Sequence, residues 1–353
     1  MPEQHLYQYQ QPFKLESGES LPGFQLAYTT YGKLSPQRDN VVWVCHALTG
    51  NSDFTEWWPG LFGEGKVYDP ADWFIVCANT LGGCYGSTGP LSVNPATQEP
   101  YYHAFPELTN RDIVDAFDLL RKELGLEKVH TLIGGSLGGQ QAMEWAIKSP
   151  EVFERLIHVA SNARHSAWGI AFNESQRMAI RLDSTWATNS ETAGLEGLKT
   201  ARSIAMLSYR HYNSYEKSQT DTDYNIKDGY RATSYQLYQG EKLAKRFNAY
   251  TYWLLSKAMD SHHVGRHRGG LHQALHLLKA RTLFVGVDSD LLFPLTEQQH
   301  LHEHVPGSVL SVIHSDYGHD GFLVETAQLA HAIQKFYEEE NTHEPLVFEN
   351  RER

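Results

Sequence analysis

A serine surrounded by glycines is the residue of this sequence that most directly suggests chemistry. Gly134, Ser136 and Gly138 lie in the stretch GGSLGG and satisfy the pattern G-x-S-x-G. In a nucleophile elbow of this pattern, the serine occupies a strained turn between a strand and a helix, where side chains at the flanking positions would clash. The pattern also arises by chance in glycine-rich sequence, but here the strand-like HTLI precedes it and the helical QQAMEWAI follows it. We therefore predict that Ser136 is a catalytic nucleophile.

A serine nucleophile needs a histidine base and an acid that orients the base, and in elbow enzymes both follow the serine in the chain. The segment VGVDSDLLFP places Asp288 and Asp290 after a predicted strand, where the catalytic side chains of open α/β sheets collect. His319, in YGHDGFL, follows the last predicted strand and precedes the last helix. The predicted triad is Ser136 with His319 and one of the two aspartates, and the spacing alone leaves that choice open.

An acyl-transfer site of this kind also needs backbone N–H groups that stabilise an oxyanion. One comes from the residue after the nucleophile, which is Leu137, and another from a loop that follows an early strand. The loop here is CHALTGNSD, and we predict that Leu48 supplies the second donor.

The elements that must hold these residues alternate between apolar strands and amphipathic helices. A helix is predicted between Thr109 and Gly125, with Thr109 or Asn110 as its N-cap, and a last helix carries an apolar stripe. The segment 13–32 predicts two strands around a glycine-rich turn, and buried strands are predicted at 40–48, 73–80, 129–135, 155–163, 281–288 and 308–315. Together with the elbow, this pattern predicts an α/β-hydrolase fold with a mostly parallel sheet flanked by helices.

The predicted fold is interrupted by a segment of different character. Residues 165–280 are mostly helical in pattern and rich in Tyr, Gln, Arg and Asn, so we predict a helical lid insertion. The core then consists of residues 1–164 and 281–340, and residues 341–353 form a polar tail that we expect to be disordered.

Composition restricts the partners. The net charge of −12 argues against nucleic acid or an anionic membrane, and any polyanionic ligand must meet a local basic patch. The first residues lack a signal sequence, and no stretch approaches the ~20 apolar residues of a membrane span, so we expect a cytoplasmic protein. The three cysteines are expected to be reduced thiols.

Two other site types are disfavoured. His262, His263 and His267 have no cysteine or acidic partner at ligand spacing and two arginines among them, so no metal site is expected there. A second histidine group is predicted to lie on a solvated helical face: His300, His302 and His304. The glycine-rich segment 81–90 lacks the G-K-[ST] ending of a phosphate loop, which favours a structural loop.

Several longer motifs of this sequence resemble the homoserine O-acetyltransferase family, the α/β-hydrolase-fold enzymes of methionine biosynthesis. The similarity extends from about residue 13 to 337 and rests on CHALTGNSD, WWPG, CANTLGGCYGSTGPLSVNP, IGGSLGGQQAMEWA, RHSAWGIAFNESQRMAI, YQGEKLAKRFNAYTYW, MDSHHVGRHRGG, SDLLFP and GHDGFL. One departure is Leu137, where the family often has methionine. The backbone N–H is the functional group there, so the departure changes little.

The resemblance implies roles for individual residues. It selects Asp290 over Asp288 as the acid, because the family's aspartate precedes xLFP. It implies that Arg202 holds the carboxylate of homoserine and that Asp320 holds its amino group, which agrees with the charges of these side chains. Tyr209 and Thr49 are weaker candidates for the same pocket.

The implied reaction transfers an acetyl group from acetyl-CoA to the hydroxyl of L-homoserine through an acyl-serine. Acetyl-CoA is a co-substrate, no cofactor is permanently bound, and the resemblance implies a homodimer formed through the lid. Basic lid residues are the places to look for contacts with the CoA phosphates: Lys245, Arg246, Arg266 and Arg268. Three alternatives stay open: transfer of succinyl or use of serine as acceptor, a plain esterase or thioesterase, and a non-catalytic binding protein on the same fold.

Overall fold

The fold is built around one large β-sheet. A computed structural model describes residues 1–341 and contains a sheet of eight strands. The strands of the molecule are β1 (Glu3–Tyr9), β2 (Phe13–Lys14), β3 (Ser20–Leu21), β4 (Phe24–Tyr31), β5 (Val41–Cys45), β6 (Phe74–Ala78), β7 (Val129–Gly135), β8 (Phe153–Val159), β9 (Arg281–Val287) and β10 (Val309–Ile313). The order across the sheet is β1-β4-β6-β5-β7-β8-β9-β10, and β2 and β3 form a separate hairpin.

Only one edge of this sheet is antiparallel. The strand β4 pairs antiparallel with both β1 and β6, whereas every pair from β6 to β10 is parallel. Because parallel strands end at the same edge, the loops after β5, β7, β9 and β10 lie close together. These are the loops that carry the residues selected from the sequence.

The helices cover both faces of the sheet and fill the segment between β8 and β9. They are α1 (Phe54–Trp57), α2 (Asn110–Glu123), α3 (Leu137–Lys148), α4 (Ala167–Leu182), α5 (Leu195–Tyr209), α6 (Tyr212–Gln219), α7 (Arg231–Ala244), α8 (Ala249–Asp260), α9 (Leu271–Leu275), α10 (Leu295–His304), α11 (Gly321–Val324) and α12 (Thr326–Asn341). The helix α2 begins after Thr109, one of the two residues that the sequence offered as its N-cap. The Thr109 side chain accepts a hydrogen bond from the Asp112 N–H, and the Asp112 side chain accepts one from the Thr109 N–H.

Apolar packing on the two faces fixes the sheet between its helices. On one face Trp43 of β5 meets Trp145 of α3 edge to face, with ring centroids 5.0 Å apart. On the other face Trp58 meets Phe322 in the same manner, at 5.8 Å. All four side chains are fully or almost fully buried, so the elbow helix and the segment after His319 are both held against the sheet.

The fold predicted from the sequence is confirmed, with differences in detail. The segment 13–32 forms three strands and not two, because β2 and β3 close a small hairpin before β4 begins. The strand β1 was not predicted, since its mostly polar sequence becomes a strand through pairing with β4. The expected polar tail, apart from its first residue, lies outside the described residues.

Two further expectations from the sequence concern the state of the cysteines and the presence of membrane-spanning helices. Cys45 and Cys77 are buried, Cys84 is partly exposed, and all three are free thiols. Across residues 1–341, no helix is both long enough and apolar enough to cross a membrane.

Candidate active site

The serine between glycines occupies the sharp turn from β7 into α3. Ser136 has φ 57° and ψ −124°, a backbone conformation that costs free energy for a residue with a side chain. The neighbouring glycines make this turn possible: a Cβ on Gly134 would lie 2.2 Å from the carbonyl oxygen of Gly138, and one on Gly138 would lie 2.1 Å from that of Cys45. Any side chain at either position would therefore push α3 away from the strands.

Hydrogen bonds from β8 and the loop after it keep the turn in place. The Ser136 N–H donates to the Val159 carbonyl at 3.0 Å, and Ser161 Oγ donates to the Ser136 carbonyl at 2.7 Å. Both backbone polar groups of the strained residue are thus satisfied, which leaves its side chain free for other partners.

The structure brings the serine, the histidine and one aspartate together. His319 Nε2 lies 3.0 Å from Ser136 Oγ, and His319 Nδ1 lies 2.7 Å from Asp290 Oδ2. The other carboxylate oxygen, Asp290 Oδ1, accepts the N–H groups of Leu292 at 2.8 Å and Phe293 at 2.9 Å. With its orientation fixed by these two amides, Asp290 can hold the imidazole with a proton on Nδ1 and an unprotonated Nε2 facing the serine.

Asp288, the other aspartate that the sequence left open, faces elsewhere. Its carboxylate pairs with His314 Nδ1 at 2.8 Å and accepts the Ser315 N–H at 3.1 Å. These partners hold the pKa of Asp288 below its ordinary value although partial burial opposes this. Asp288 therefore organises the loop after β10 and does not touch His319.

The charges around His319 decide its protonation. Burial of the ring disfavours the imidazolium, but the charge and hydrogen bond of Asp290, together with Asp320, outweigh it and raise the pKa of His319 above 6.5. The ring is therefore a stronger base than an ordinary histidine.

The two amides predicted for an oxyanion hole belong to Leu137, which follows the serine directly, and to Leu48 in the loop after β5. In the described part of the chain, the N–H groups of Leu48 and Leu137 donate no hydrogen bond to another protein group. Both side chains are buried, and Leu48 lines the same pocket as Ser136. Unsatisfied donors at such a position are suited to bind an oxygen that becomes negative during reaction.

A pocket of about 190 Å³ opens above Ser136 and His319. Apolar groups on its wall include Trp57, Phe322 and Leu323, and its polar lining consists of Thr49, Arg202, Tyr209, Arg246 and Asp320. Arg202 lies on α5 with its guanidinium carbon 5.2 Å from the centre of the Tyr209 ring. The structure thus brings both predicted substrate-binding residues, and both weaker candidates, to the same pocket as the serine.

Asp320 has a partner that was not identified from the sequence. Arg210 Nε lies 3.1 Å from Asp320 Oδ2, as an ion pair whose N–H direction does not form a hydrogen bond. Burial raises the pKa of Asp320, and Arg210, Arg202 and His319 partly oppose that rise. Arg210 follows the end of α5 in a segment without a distinctive motif, so no sequence signal could have paired it with Asp320.

Comparison with known proteins identifies the family of this chain. The model of a family described as alpha/beta hydrolase fold matches residues 40–326. A homoserine O-acetyltransferase from Cyclobacterium marinum is 53% identical over 338 residues, which cover 96% of each chain. The chain belongs to the homoserine O-acetyltransferase family. The family resemblance and the fold class predicted from the sequence are both confirmed.

Two solved structures extend the comparison. A homoserine O-acetyltransferase from Staphylococcus aureus is 29% identical, with a TM-score of 0.79 over 100% of this chain and 98% of that one. Esterase E22 is 26% identical, with a TM-score of 0.87 over 95% of this chain and 100% of that one. The same architecture therefore occurs in a transferase and in an esterase, and the pocket must distinguish them.

The basic residues considered for the CoA phosphates fall into two groups. Arg266 pairs with both carboxylate oxygens of Glu16, at 3.0 and 2.8 Å, and Arg268 pairs with Glu144. Lys245 is exposed, and Arg246 lines the pocket, where it donates to the Thr49 carbonyl at 2.6 Å. Among these four, Arg246 is the one next to the pocket of this family member.

Two of the histidines in the segment 261–270, His262 and His263, have structural partners. His262 is buried and its Nε2 lies 3.1 Å from the Asn162 carbonyl. His263 Nδ1 accepts the Gly265 N–H at 3.0 Å. Within residues 1–341, these histidines do not form a group with metal-ligand spacing.

Proposed function

We propose that this chain is a homoserine O-acetyltransferase that works through an acetyl-serine at Ser136. The observation that carries the proposal is the pocket in which the Ser136 hydroxyl lies with the guanidinium of Arg202 and with one carboxylate, Asp320. An amino acid offers a carboxylate and an ammonium, and these two side chains match both charges. A relative named homoserine O-acetyltransferase, 53% identical over almost the whole chain, identifies homoserine as the amino acid to test.

In the first half-reaction, His319 Nε2 removes the proton from Ser136 Oγ, which lies 3.0 Å away. The oxygen attacks the thioester carbon of acetyl-CoA, and the electron pair moves to the carbonyl oxygen. The N–H groups of Leu48 and Leu137 stabilise this oxyanion, and Asp290 stabilises the imidazolium. When the intermediate collapses, the carbon–sulfur bond breaks and His319 returns the proton to the CoA thiolate.

In the second half-reaction, homoserine replaces CoA. Arg202 binds its carboxylate and Asp320 its ammonium, which places the hydroxyl near His319. The imidazole removes the hydroxyl proton, the oxygen attacks the acetyl-serine, and the same two amides stabilise the second oxyanion. Collapse breaks the bond to Ser136 Oγ, which receives the proton from His319, and O-acetyl-L-homoserine leaves.

The helices between β8 and β9 contribute polar residues to the pocket. Arg202 and Tyr209 of α5, and Arg246 after α7, reach the pocket from this segment. We assign residues 165–280 as a lid that limits the access of water to the acetyl-serine, because the same triad would otherwise hydrolyse it. The lid, the triad roles and the bound substrates are all parts of this proposal.

The experiment that tests the proposal labels the serine directly. Purified protein is mixed with acetyl-CoA without acceptor, and the Ser136 peptide is examined by mass spectrometry. We expect one acetyl group on that peptide, its loss with formation of O-acetylhomoserine when L-homoserine is added, and no label on Ser136→Ala. An unlabelled wild-type peptide, or equal labelling of the variant, would contradict the proposal.

Esterase activity is the second candidate function, because esterase E22 shares the fold at a TM-score of 0.87. The release of CoA with and without homoserine separates the two: a transferase needs the acceptor for continued turnover, whereas a thioesterase does not. The same assay, run with succinyl-CoA and with L-serine, tests the neighbouring acyltransferase activities. A preference for succinyl-CoA of about tenfold in kcat/KM, or 1.4 kcal/mol, would replace the acetyl assignment.

We also propose that the lid forms a homodimer interface. Large apolar side chains are exposed on three of its helices, including Met178 and Leu182 of α4, Leu207 of α5 and Leu237 of α7, which are 50, 84, 56 and 68% exposed. Large exposed apolar side chains on neighbouring helices are typical of association surfaces. Light scattering should give twice the chain mass, and Leu182→Glu combined with Leu237→Glu should give the monomer mass; a monomeric wild type contradicts the dimer.

A further inference from the structure

A group of histidines lies on the outer surface of two neighbouring helices, and the proposed acyl transfer does not use it. His272 and His276 belong to α9 and its C-terminal cap, and His300 and His304 belong to α10. We name these four residues the histidine cluster. All of them are exposed except His304, which is partly exposed. For His300 and His304 this agrees with the solvated helical face expected from the sequence.

The imidazole rings of the cluster lie close to one another. The ring centroids of His272 and His276 are 4.3 Å apart, and those of His300 and His304 are 4.1 Å apart. The two helices meet at His272 and His304, whose ring centroids are 5.8 Å apart. Four imidazoles from two helices thus occupy one small surface region.

In each of the two pairs, one imidazole donates a hydrogen bond to the backbone carbonyl of the other histidine. His304 Nδ1 donates to the His300 carbonyl at 2.8 Å, and His276 Nδ1 donates to the His272 carbonyl at 2.8 Å. A ring that uses its Nδ1 proton in this way leaves the Nε2 lone pair available. Metal-binding histidines are oriented by this same kind of bond to a backbone carbonyl.

A carboxylate completes the donor set. Ligand atoms of His300, Glu303 and His304 lie within 4.8 Å of one another, and exposed side chains can close the remaining distance by rotation. Imidazole with one carboxylate suits zinc, copper and nickel ions, whereas calcium and magnesium prefer oxygen ligands alone.

The packing beneath the cluster keeps the two helices in register. Ala274 and Leu275 of α9 share a buried apolar cluster with Leu301 of α10 and with Val305. The apolar sides of both helices face inward together, so the histidine sides stay next to each other on the outside. The imidazole rings on the two helices are therefore held near each other by this shared packing.

We propose that the histidine cluster and Glu303 form a site for one divalent transition-metal ion, with His300, Glu303 and His304 as ligands from α10 and His272 or His276 as the ligand from α9. The ion links the segment before β9 to the helix after it. Because the unfolded chain does not hold these ligands together, binding also stabilises the folded protein.

The test uses the full-length protein after removal of metal with a chelator, and Zn²⁺ is the probe. Calorimetric titration should give one ion per chain with a Kd in the micromolar range, and Zn²⁺ should raise the unfolding temperature. Loss of a second-shell partner alone costs about 10- to 100-fold in metal affinity, so His300→Ala/His304→Ala and His272→Ala/His276→Ala should each weaken binding at least that much.

His302→Ala is the matched control, because His302 lies on α10 beside the site but its Nδ1 is paired with Ser308 Oγ at 3.0 Å. It should bind Zn²⁺ as the wild type does. Wild-type binding weaker than millimolar, or an equal loss in the control, would overturn the site. Full affinity in His272→Ala/His276→Ala would overturn the link between the helices. Circular dichroism confirms folding of each variant, and none of these readouts depends on acyl transfer.

Discussion

The Asp290→Asn variant tests whether Asp290, and not the nearby Asp288, is the acid that orients His319. Asp290 Oδ1 accepts two backbone N–H groups, from Leu292 and Phe293, and Oδ2 faces His319 Nδ1. In the Asp290→Asn variant the amide oxygen must take the position facing the two N–H groups, because an NH₂ group there would oppose two donors. The NH₂ group is then directed at His319 Nδ1.

This orientation reverses the tautomer of the imidazole. His319 Nδ1 becomes an acceptor, Nε2 carries the proton, and Nε2 can no longer remove the proton of Ser136. A reversed tautomer in a triad of this type costs about 10⁴-fold in kcat, or roughly 5.5 kcal/mol. Loss of the Asp290 charge also lowers the pKa of His319, because the burial that opposes protonation remains.

The assay follows the first half-reaction through the release of CoA after mixing with acetyl-CoA, across a range of pH. In the wild type, the raised pKa of His319 places the acidic limb of the profile above pH 6.5, since only the neutral ring acts as a base. The variant should stay slow at every pH, because its ring is neutral but has the wrong tautomer.

Asp288→Asn is the matched control, since Asp288 pairs with His314 and Ser315 in the same segment without touching His319. It should react within a few-fold of the wild type. If Asp290→Asn keeps more than a tenth of the wild-type rate, or if both variants lose activity equally, the assignment of the acid is refuted.

Three other predictions concern the acceptor, the elbow and acid stability. Arg202→Met should raise the KM for homoserine about 10- to 150-fold, as expected for a charge-assisted contact of 1.5–3 kcal/mol, and leave acetylation by acetyl-CoA unchanged; equal slowing of acetylation would contradict this role. Gly138→Ala places a Cβ 2.1 Å from the Cys45 carbonyl oxygen, so its unfolding free energy should fall by about 1–3 kcal/mol or more, and an unchanged urea midpoint would contradict the close approach. Burial lowers the pKa of three histidines, to about 4, 3 and 4, in His46, His158 and His165. As the pH falls from 6.5 towards 4, these histidines become protonated in the unfolded chain before they do so in the folded protein. Each should therefore lower the free energy of unfolding by about 2 kcal/mol at pH 5. Equal free energies of unfolding in urea at pH 7 and pH 5 would count against this prediction.

The parts of the fold that were predictable are those whose own sequence carries the cause. The strand β5 is a continuous apolar run, and β7 and β9 are buried over almost their whole length, because both faces of a parallel sheet are covered. The strand β1 has no such run, and its strand conformation depends on a ladder with β4 that local sequence cannot contain. The same distinction explains why one hairpin and one strand replaced the two predicted strands of residues 13–32.

The residues of the site also include some that the sequence could predict and some that it could not. The order of Ser136, Asp290 and His319 follows from the topology of the sheet, so a sequence can reveal it. Two aspartates at one strand end look alike until their partners are known, and only the family resemblance selected Asp290. The contact of Arg210 with Asp320 joins residues that are far apart in the chain and carry no motif, so it depends on the way the segment between β8 and β9 packs on the sheet.

That contact bears on the difference between a transferase and an esterase. A triad and two amides suffice for either reaction, and neither needs a second, partly buried carboxylate beside the imidazole. Burial raises the pKa of Asp320, so its ionised form is costly in an empty pocket, and Arg210 at 3.1 Å offsets part of this cost. A bound ammonium would offset more, and the carboxylate of the same ligand would neutralise Arg202. On this reasoning the charged groups of the pocket favour a zwitterionic acceptor over water or a neutral alcohol, and Arg210 reduces the cost of ionising Asp320 before the acceptor arrives.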